Sequence, residues 1–178
     1  MNFAFTTSHQ QTRKYIVFIS FLVLSTFFTS YSGNAQIDIK SKVDAQTYAD
    51  YSKAIDLFEK YINPNEVLTL FLPINYSLDR ISSELYNSVF NLKDQNVASF
   101  LNNHIVQKEL TDNFLRNKVI NNNTDHSETF KSNRVYHFVK NDTKVMLTDN
   151  QIFEANIEKS IKIEPGIIIY FINGVIKY

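Results

Sequence analysis

The 178-residue chain carries 18 Lys and Arg against 18 Asp and Glu, with four His, three Gly, three Pro, no Cys and no Trp, and is the size of one ordinary domain. Without Cys there are no disulfides, thiol chemistry or thiolate metal sites, and an even charge supplies no basic surface for nucleic acid. A hydrophobic content of 44%, with 14% aromatic, excludes a disordered chain, since this much apolar surface can offset the entropy of ordering.

Residues 1–12 lack Lys, Arg, Asp and Glu. Arg13 and Lys14 follow, then an apolar run over residues 15–28, then Ser30-Tyr31-Ser32-Gly33-Asn34-Ala35. That is the order of a secretory signal: cationic end, short greasy stretch, small residues before the cut. Cleavage is expected after Ala35. The run falls short of the ~20 residues of a membrane-crossing helix, and an uncleaved anchor is the lesser alternative. Removal of Arg13 and Lys14 takes the cations from 18 to 16 against 18 acids, a net charge of −2 over residues 36–178. The expected destination is the periplasm, cell surface or medium, with no membrane span once the signal is removed.

Asp44 is placed to cap a helix in which Tyr48, Tyr51, Ile55, Phe58 and Ile62 recur every three or four residues. Asn63-Pro64-Asn65 ends it. Residues 67–72 form an apolar run of strand length stopped by Pro73, which reads as a strand buried on both faces. Helical spacing returns over residues 77–103, behind Ser82 or Ser83 and again behind Asp94. Residues 104–106 suit a brief strand, and Thr111 or Asp112 caps one more turn holding Phe114 and Leu115. Asn121-Asn122-Asn123 reads as a surface loop. Thereafter the period becomes two: residues 135–139, 144–147, 157–163 and 167–172 read as strands, with turns at Asn141-Asp142, Asp149-Asn150 and Pro165-Gly166. In residues 157–161 one polar face suggests a sheet edge. Helices followed by hairpins predict an α+β domain, short helices packed on an antiparallel sheet or sandwich.

The chemistry-bearing residues are sparse. His104 stands out between Phe100-Leu101 and Ile105-Val106, where a partly buried imidazole bonded to backbone at a helix-to-strand junction is the expectation. A catalytic base needs a positioned partner and a nucleophilic Ser needs an oxyanion site. Ser99 lies near His104, yet only Gly166 and Gly174 remain after residue 35, too few for a nucleophile elbow or a phosphate-cradling loop. His126 and His137 are 11 apart, one in the expected loop and one in a strand, without ligand spacing, so no metal and no cofactor is expected. Asp125 and Glu128 beside His126 are expected in solvent. Asn75-Tyr76-Ser77, Asn122-Asn123-Thr124 and Asn141-Asp142-Thr143 fit the glycosylation triplet, against 20 Asn in the chain.

Three blocks resemble the fasciclin (FAS1) family. The first is Thr69-Leu70-Phe71-Leu72-Pro73-Ile74-Asn75-Tyr76-Ser77-Leu78, a strand ending in Pro with a polar pair and a short helix. Next comes Val97-Ala98-Ser99-Phe100-Leu101-Asn102-Asn103-His104-Ile105-Val106, followed by Glu109-Leu110-Thr111. The third, residues 165–176, is similar to the family's closing block and contains Tyr170 and Asn173-Gly174. They occur in family order across residues 44–178. The resemblance implies a FAS1-like wedge over residues 36–178 that works by binding, in adhesion or in cell-surface and matrix association, without catalysis. Its implied partner is a cell-surface or matrix protein or polysaccharide, and its candidate binding residues are Asn75, Asn103, His104 and Tyr170. The chain departs from the family in having Asn103 for the aromatic before the His, Tyr170 for a His and Asn173 for an Asp. Where animal members carry Tyr-His and Asp-Ile pairs tied to integrin binding, this chain has Asn103-His104 and Ser160-Ile161, so integrin recognition is not implied. A carrier or sensor for a small apolar or sugar ligand is the alternative reading, and an exported hydrolase the next.

Overall fold

The computed structural model describes residues 36–91, 94–163 and 166–176. The expected signal segment, the Asp94 cap and Pro165 lie outside the described residues or side chains. The described residues fall in one compact unit, Gln36–Tyr178. Among them no helix is long and apolar enough to cross a membrane.

A 3-10 turn (Lys40–Lys42) leads to helix α1 (Ala45–Tyr61). Asp44 starts α1 by accepting the Thr47 amide at 2.8 Å, which satisfies one of the donors left over in a first helical turn. Its apolar stripe buries Tyr51, Ile55 and Phe58. Strand β1 (Leu68–Pro73) is buried at every position. Then follow α2 (Asn75–Leu78), α3 (Ser83–Phe90), α4 (Asp94–Asn103), β2 (Ile105–Val106) and α5 (Asp112–Leu115). Ser82 caps α3 through the Leu85 amide, and Thr111 caps α5 through the Phe114 amide. A π-helical turn (Arg116–Asn121) continues α5, and the strands β3 (His126–Thr129), β4 (Val135–Asn141), β5 (Lys144–Thr148), β6 (Glu154–Ile163) and β7 (Ile167–Ile172) complete the chain.

The seven strands form one sheet in the order β2-β1-β7-β6-β5-β4-β3. All pairs are antiparallel except β1 with β7, which run parallel in the register Leu68↔Ile167 to Pro73↔Ile172. The fold class is α+β as expected, with this parallel pair as a departure from an all-antiparallel sheet. Alternation along β1 and β7 divides the core. Leu68, Leu70, Leu72, Ile167, Ile169 and Phe171 face the helical layer with Ile55 and Phe58. Phe71, Ile168, Tyr170 and Ile172 face the opposite way, with Phe130, Tyr136 and Phe138.

Two further expectations are corrected. The segment around His126 is strand β3 at the sheet edge, not loop, and Glu128 is 7% exposed rather than solvated. Lys108 approaches its Oε1 at 2.5 Å and compensates the charge that burial would otherwise penalise, and His126 Nε2 lies 2.5 Å from the same oxygen. Second, β6 is interior, held between β7 and β5. A register shift between Ile157 and Lys159 interrupts the regular pairing, and the exposed Lys159 meets Asp44 and Thr47 at the start of α1. The left-handed residues are Asn123, Asn133, Asp142 and Asn150, types that tolerate positive φ through local hydrogen bonds. Three of them occupy segments expected as turns or loops.

Candidate functional site

The four candidate residues fall into two environments. His104 closes α4 and enters β2 with no exposed surface. Its Nδ1–H donates to the Phe100 carbonyl at 2.8 Å, and its Nε2 accepts the Ile176 amide at 3.3 Å. Those two bonds fix the neutral tautomer, because protonation of Nε2 would remove the acceptor that Ile176 uses. Burial pushes the pKa down to about 4, against the smaller opposing effect of the Phe100 carbonyl. The ring lies 4.3 Å from Phe100 between centroids and edge-on to Phe58 at 6.3 Å. Both nitrogens are engaged inside the core, so a substrate has no route to either.

Asn103 is 1% exposed and its Oδ1 has no hydrogen-bond partner among the described residues. Tyr170 is buried on the opposite face of the sheet, donates its hydroxyl to the Leu110 carbonyl at 2.9 Å and stacks on Phe71 at 5.5 Å. Thr69 holds the same crossing segment from β1: its hydroxyl donates to the Lys108 carbonyl at 2.8 Å and accepts the Leu110 amide at 2.9 Å. Asn103, His104 and Tyr170 are thus interior, and of the four candidates only Asn75 lies near the surface.

Asn75 belongs to a surface that the sequence reading named only in part. β1 and β7 end side by side, and the Ile74 amide donates to the Ile172 carbonyl at 3.0 Å. Asn75 then ties the turn to α1, its Nδ2 donating to the Ala49 carbonyl at 2.8 Å and its Oδ1 accepting the Lys53 amide at 3.1 Å. Ser77 ties it to the end of β7 by donating to the Asn173 carbonyl at 2.7 Å. Between these anchors stands Tyr76, 65% exposed, with the Arg80 guanidinium 5.2 Å from its ring centroid. Asn173 extends the polar margin: its Oδ1 accepts the Asn156 amide at 2.8 Å and its Nδ2 donates to Glu158 at 3.1 Å, while Glu158 also pairs with Lys144. The sequence named Tyr76 only within the first block and the Asn75-Tyr76-Ser77 triplet; its exposure follows from the anchoring of the turn on both sides, which is long-range.

Ser127 Oγ lies 2.8 Å from His137 Nδ1 on exposed strand positions. Among the described residues no group of three or more His, Asp or Glu side chains is arranged to hold a metal ion.

Sequence comparison matches the fasciclin domain family model to residues 43–177, and the chain belongs to that family. It is similar to a solved FAS1 domain pair from the insect cell adhesion molecule fasciclin I, at 20% identity and a TM-score of 0.47, over 74% of this chain and 44% of that one. The chain thus spans less than half of that solved chain. No curated protein matches.

Proposed function

We propose that this fasciclin-family chain is an exported module that binds a cell-surface or matrix protein or polysaccharide and carries out no chemistry of its own. The observation that carries the reading is Tyr76: a large, mostly exposed aromatic on a turn whose neighbours Asn75 and Ser77 are bonded to two different elements. A rigid aromatic loses little conformational freedom on binding, and such residues, with Arg, dominate binding surfaces. Arg80 stacked on Tyr76 and the amide-rich margin at Asn173 supply the polar surround. Family membership supports adhesion as the class of activity, and the apolar run before Ala35 supports export.

The test is retention of the protein on cell-envelope fractions from its source, before and after protease or periodate treatment. Retention that protease abolishes identifies a protein partner, and retention that periodate abolishes identifies a glycan. Retention that Tyr76→Ala leaves unaltered would overturn the assignment of this surface.

A further inference from the structure

Among the described residues six large apolar side chains are exposed, and three of them, Tyr76, Val135 and Ile152, stand at one end of the sheet. There β1, β7 and β5 end while β6 and β4 begin, as the pairs Pro73↔Ile172, Ile157↔Ile172, Thr148↔Glu154 and His137↔Thr148 require. Tyr76 follows β1 directly, Ile152 sits in the turn from β5 to β6, and Val135 opens β4. Single exposed apolar residues are ordinary on a protein surface. Three on one rim, two of them held out on fastened turns, form a pattern.

Ile152 is 87% exposed, the most of the three, and its turn is closely bonded. Asp149 Oδ1 accepts the amides of Gln151, Ile152 and Phe153 at 2.9, 3.0 and 2.9 Å, and Thr148 Oγ1 accepts the Asn150 amide at 2.9 Å. Asn150 takes the left-handed conformation at φ 60°. Phe153 anchors the turn from within, 7% exposed and edge-on to Tyr136 at 5.9 Å. Ile152 is thus held outward by the residues around it, as Tyr76 is by Asn75 and Ser77. The segment after β7 joins the two turns. Ser77 donates to the Asn173 carbonyl, and Gly174 runs so near Phe153 that an added Cβ would meet its Cε2 at 3.3 Å.

Neighbouring strands stand ~4.8 Å apart, so the four spacings from β1 to β4 put Tyr76 and Val135 about 20 Å apart along the sheet, with Ile152 between them. That span fits one standard protein–protein interface, about 800 Å² on each partner. Arg80 on the Tyr76 ring and the exposed Asn150, Gln151 and Asn173 give the row the polar surround such an interface carries. The two aliphatic side chains decide the partner. Against a polysaccharide they would cover hydroxyls and leave them without hydrogen-bond partners, whereas apolar hollows on a folded protein gain by burying them. We infer that Tyr76, Ile152 and Val135 form one docking row for a different protein that presents apolar pockets at this spacing. The row rests on the binding role proposed for Tyr76 and narrows its partner to a protein.

The test is retention of the full chain on cell-envelope fraction from its source, measured against the amount of fraction. Protease treatment of the fraction should abolish retention and periodate should spare it. Ile152→Ser combined with Val135→Thr should raise the amount needed for half-retention at least about tenfold, the effect of leaving one large aliphatic side chain unburied. The unfolding temperature should not move, since both positions are exposed. A photoreactive benzoylphenylalanine at position 152 should cross-link to a protease-sensitive partner, and excess wild-type chain should suppress the adduct. Undiminished retention of the double variant, with Tyr76→Ala losing it, overturns the row and leaves the role of Tyr76 standing; undiminished retention of both variants removes both. Loss to periodate, equal retention on protein-free vesicles of the envelope lipids, or an adduct of two copies of this chain each overturns the row in favour of a glycan, a membrane or self-association.

Discussion

His104 Nε2 accepts the backbone amide of Ile176 from 72 positions along the chain, while its Nδ1–H holds the Phe100 carbonyl. One neutral imidazole thus joins the end of α4 to the closing segment after β7. Its native pKa, about 4, lies below the ordinary 6.5 because of burial. Above pH 6.5 both folded and unfolded chains hold it neutral, and its contribution to stability is complete. Between pH 6.5 and 4 the unfolded chain takes up a proton that the folded chain refuses, so stability falls with pH, by about 3 kcal/mol in total at 1.36 kcal/mol per unit. Urea unfolding at pH 7, 5.5 and 4.5 should show this decline, and His104→Gln should flatten it while costing about 1–3 kcal/mol at pH 7. An unaltered pH slope in the variant would remove His104 as its source.

Tyr170 performs the matching task on the other face, bonding the Leu110 carbonyl and stacking on Phe71. Tyr170→Phe keeps the ring and strands the carbonyl, a loss of about 1–2 kcal/mol. Tyr170→Ala also leaves a cavity and should cost about 3–5 kcal/mol. Burial raises the Tyr170 hydroxyl pKa, so alkaline difference spectra should show this phenol ionising only as the chain unfolds. Equal stability losses in the two variants would refute the division between ring and hydroxyl.

The elements that announced themselves in sequence are those whose cause is local. Asp44 and Ser82 cap the helices that follow them, and the nearly continuous apolar run of β1 and the apolar run of β7 follow from burial between two cores. Long-range pairing leaves no such trace. Nothing in residues 68–73 states that they pair in parallel with residues 167–172. In β3 the inward positions are His126 and Glu128, which no apolar alternation could reveal, because Lys108 joins them from another part of the chain. The polar face of residues 157–161 was legible, yet its meaning depended on the pairing of β6 on both sides and on the contact of Lys159 with Asp44. The motif positions Asn103, His104 and Tyr170 were found by resemblance, but whether a polar residue faces inward or outward at a helix-to-strand junction is settled only by packing.

Gly174 follows Asn173 where the chain passes closely over β6. A Cβ added there would lie 2.8 Å from the Ala155 Cβ and 3.2 Å from the Glu154 carbonyl oxygen. The closest obstacle is a methyl fixed to a strand, which has no rotamer by which to withdraw. Gly174→Ala should therefore destabilise by about 1–3 kcal/mol, the usual cost of overpacking. Adding Ala155→Gly removes the nearer obstacle and should recover part of that loss relative to the sum of the single substitutions, a non-additivity that a double-mutant cycle reads directly. Strict additivity would show that the contact is not the cause.

Tyr76 separates binding from folding. Its ring is mostly exposed, so Tyr76→Ala should change stability by no more than about 0.5 kcal/mol. If the ring is the central anchor of the binding surface, the same change should weaken retention on the envelope fraction at least about thirtyfold, the mark of a hot spot. Arg80→Gln, which removes the cation stacked on the ring, should cost less, because an exposed cation–π contact contributes about 0.5–1 kcal/mol. Asn75→Ala acts differently: it frees the turn from α1 by deleting the bonds to Ala49 and Lys53, so binding should weaken through loss of preorganisation although Tyr76 is intact. Wild-type retention in Asn75→Ala together with loss in Tyr76→Ala would show that the ring binds without help from its pinned turn.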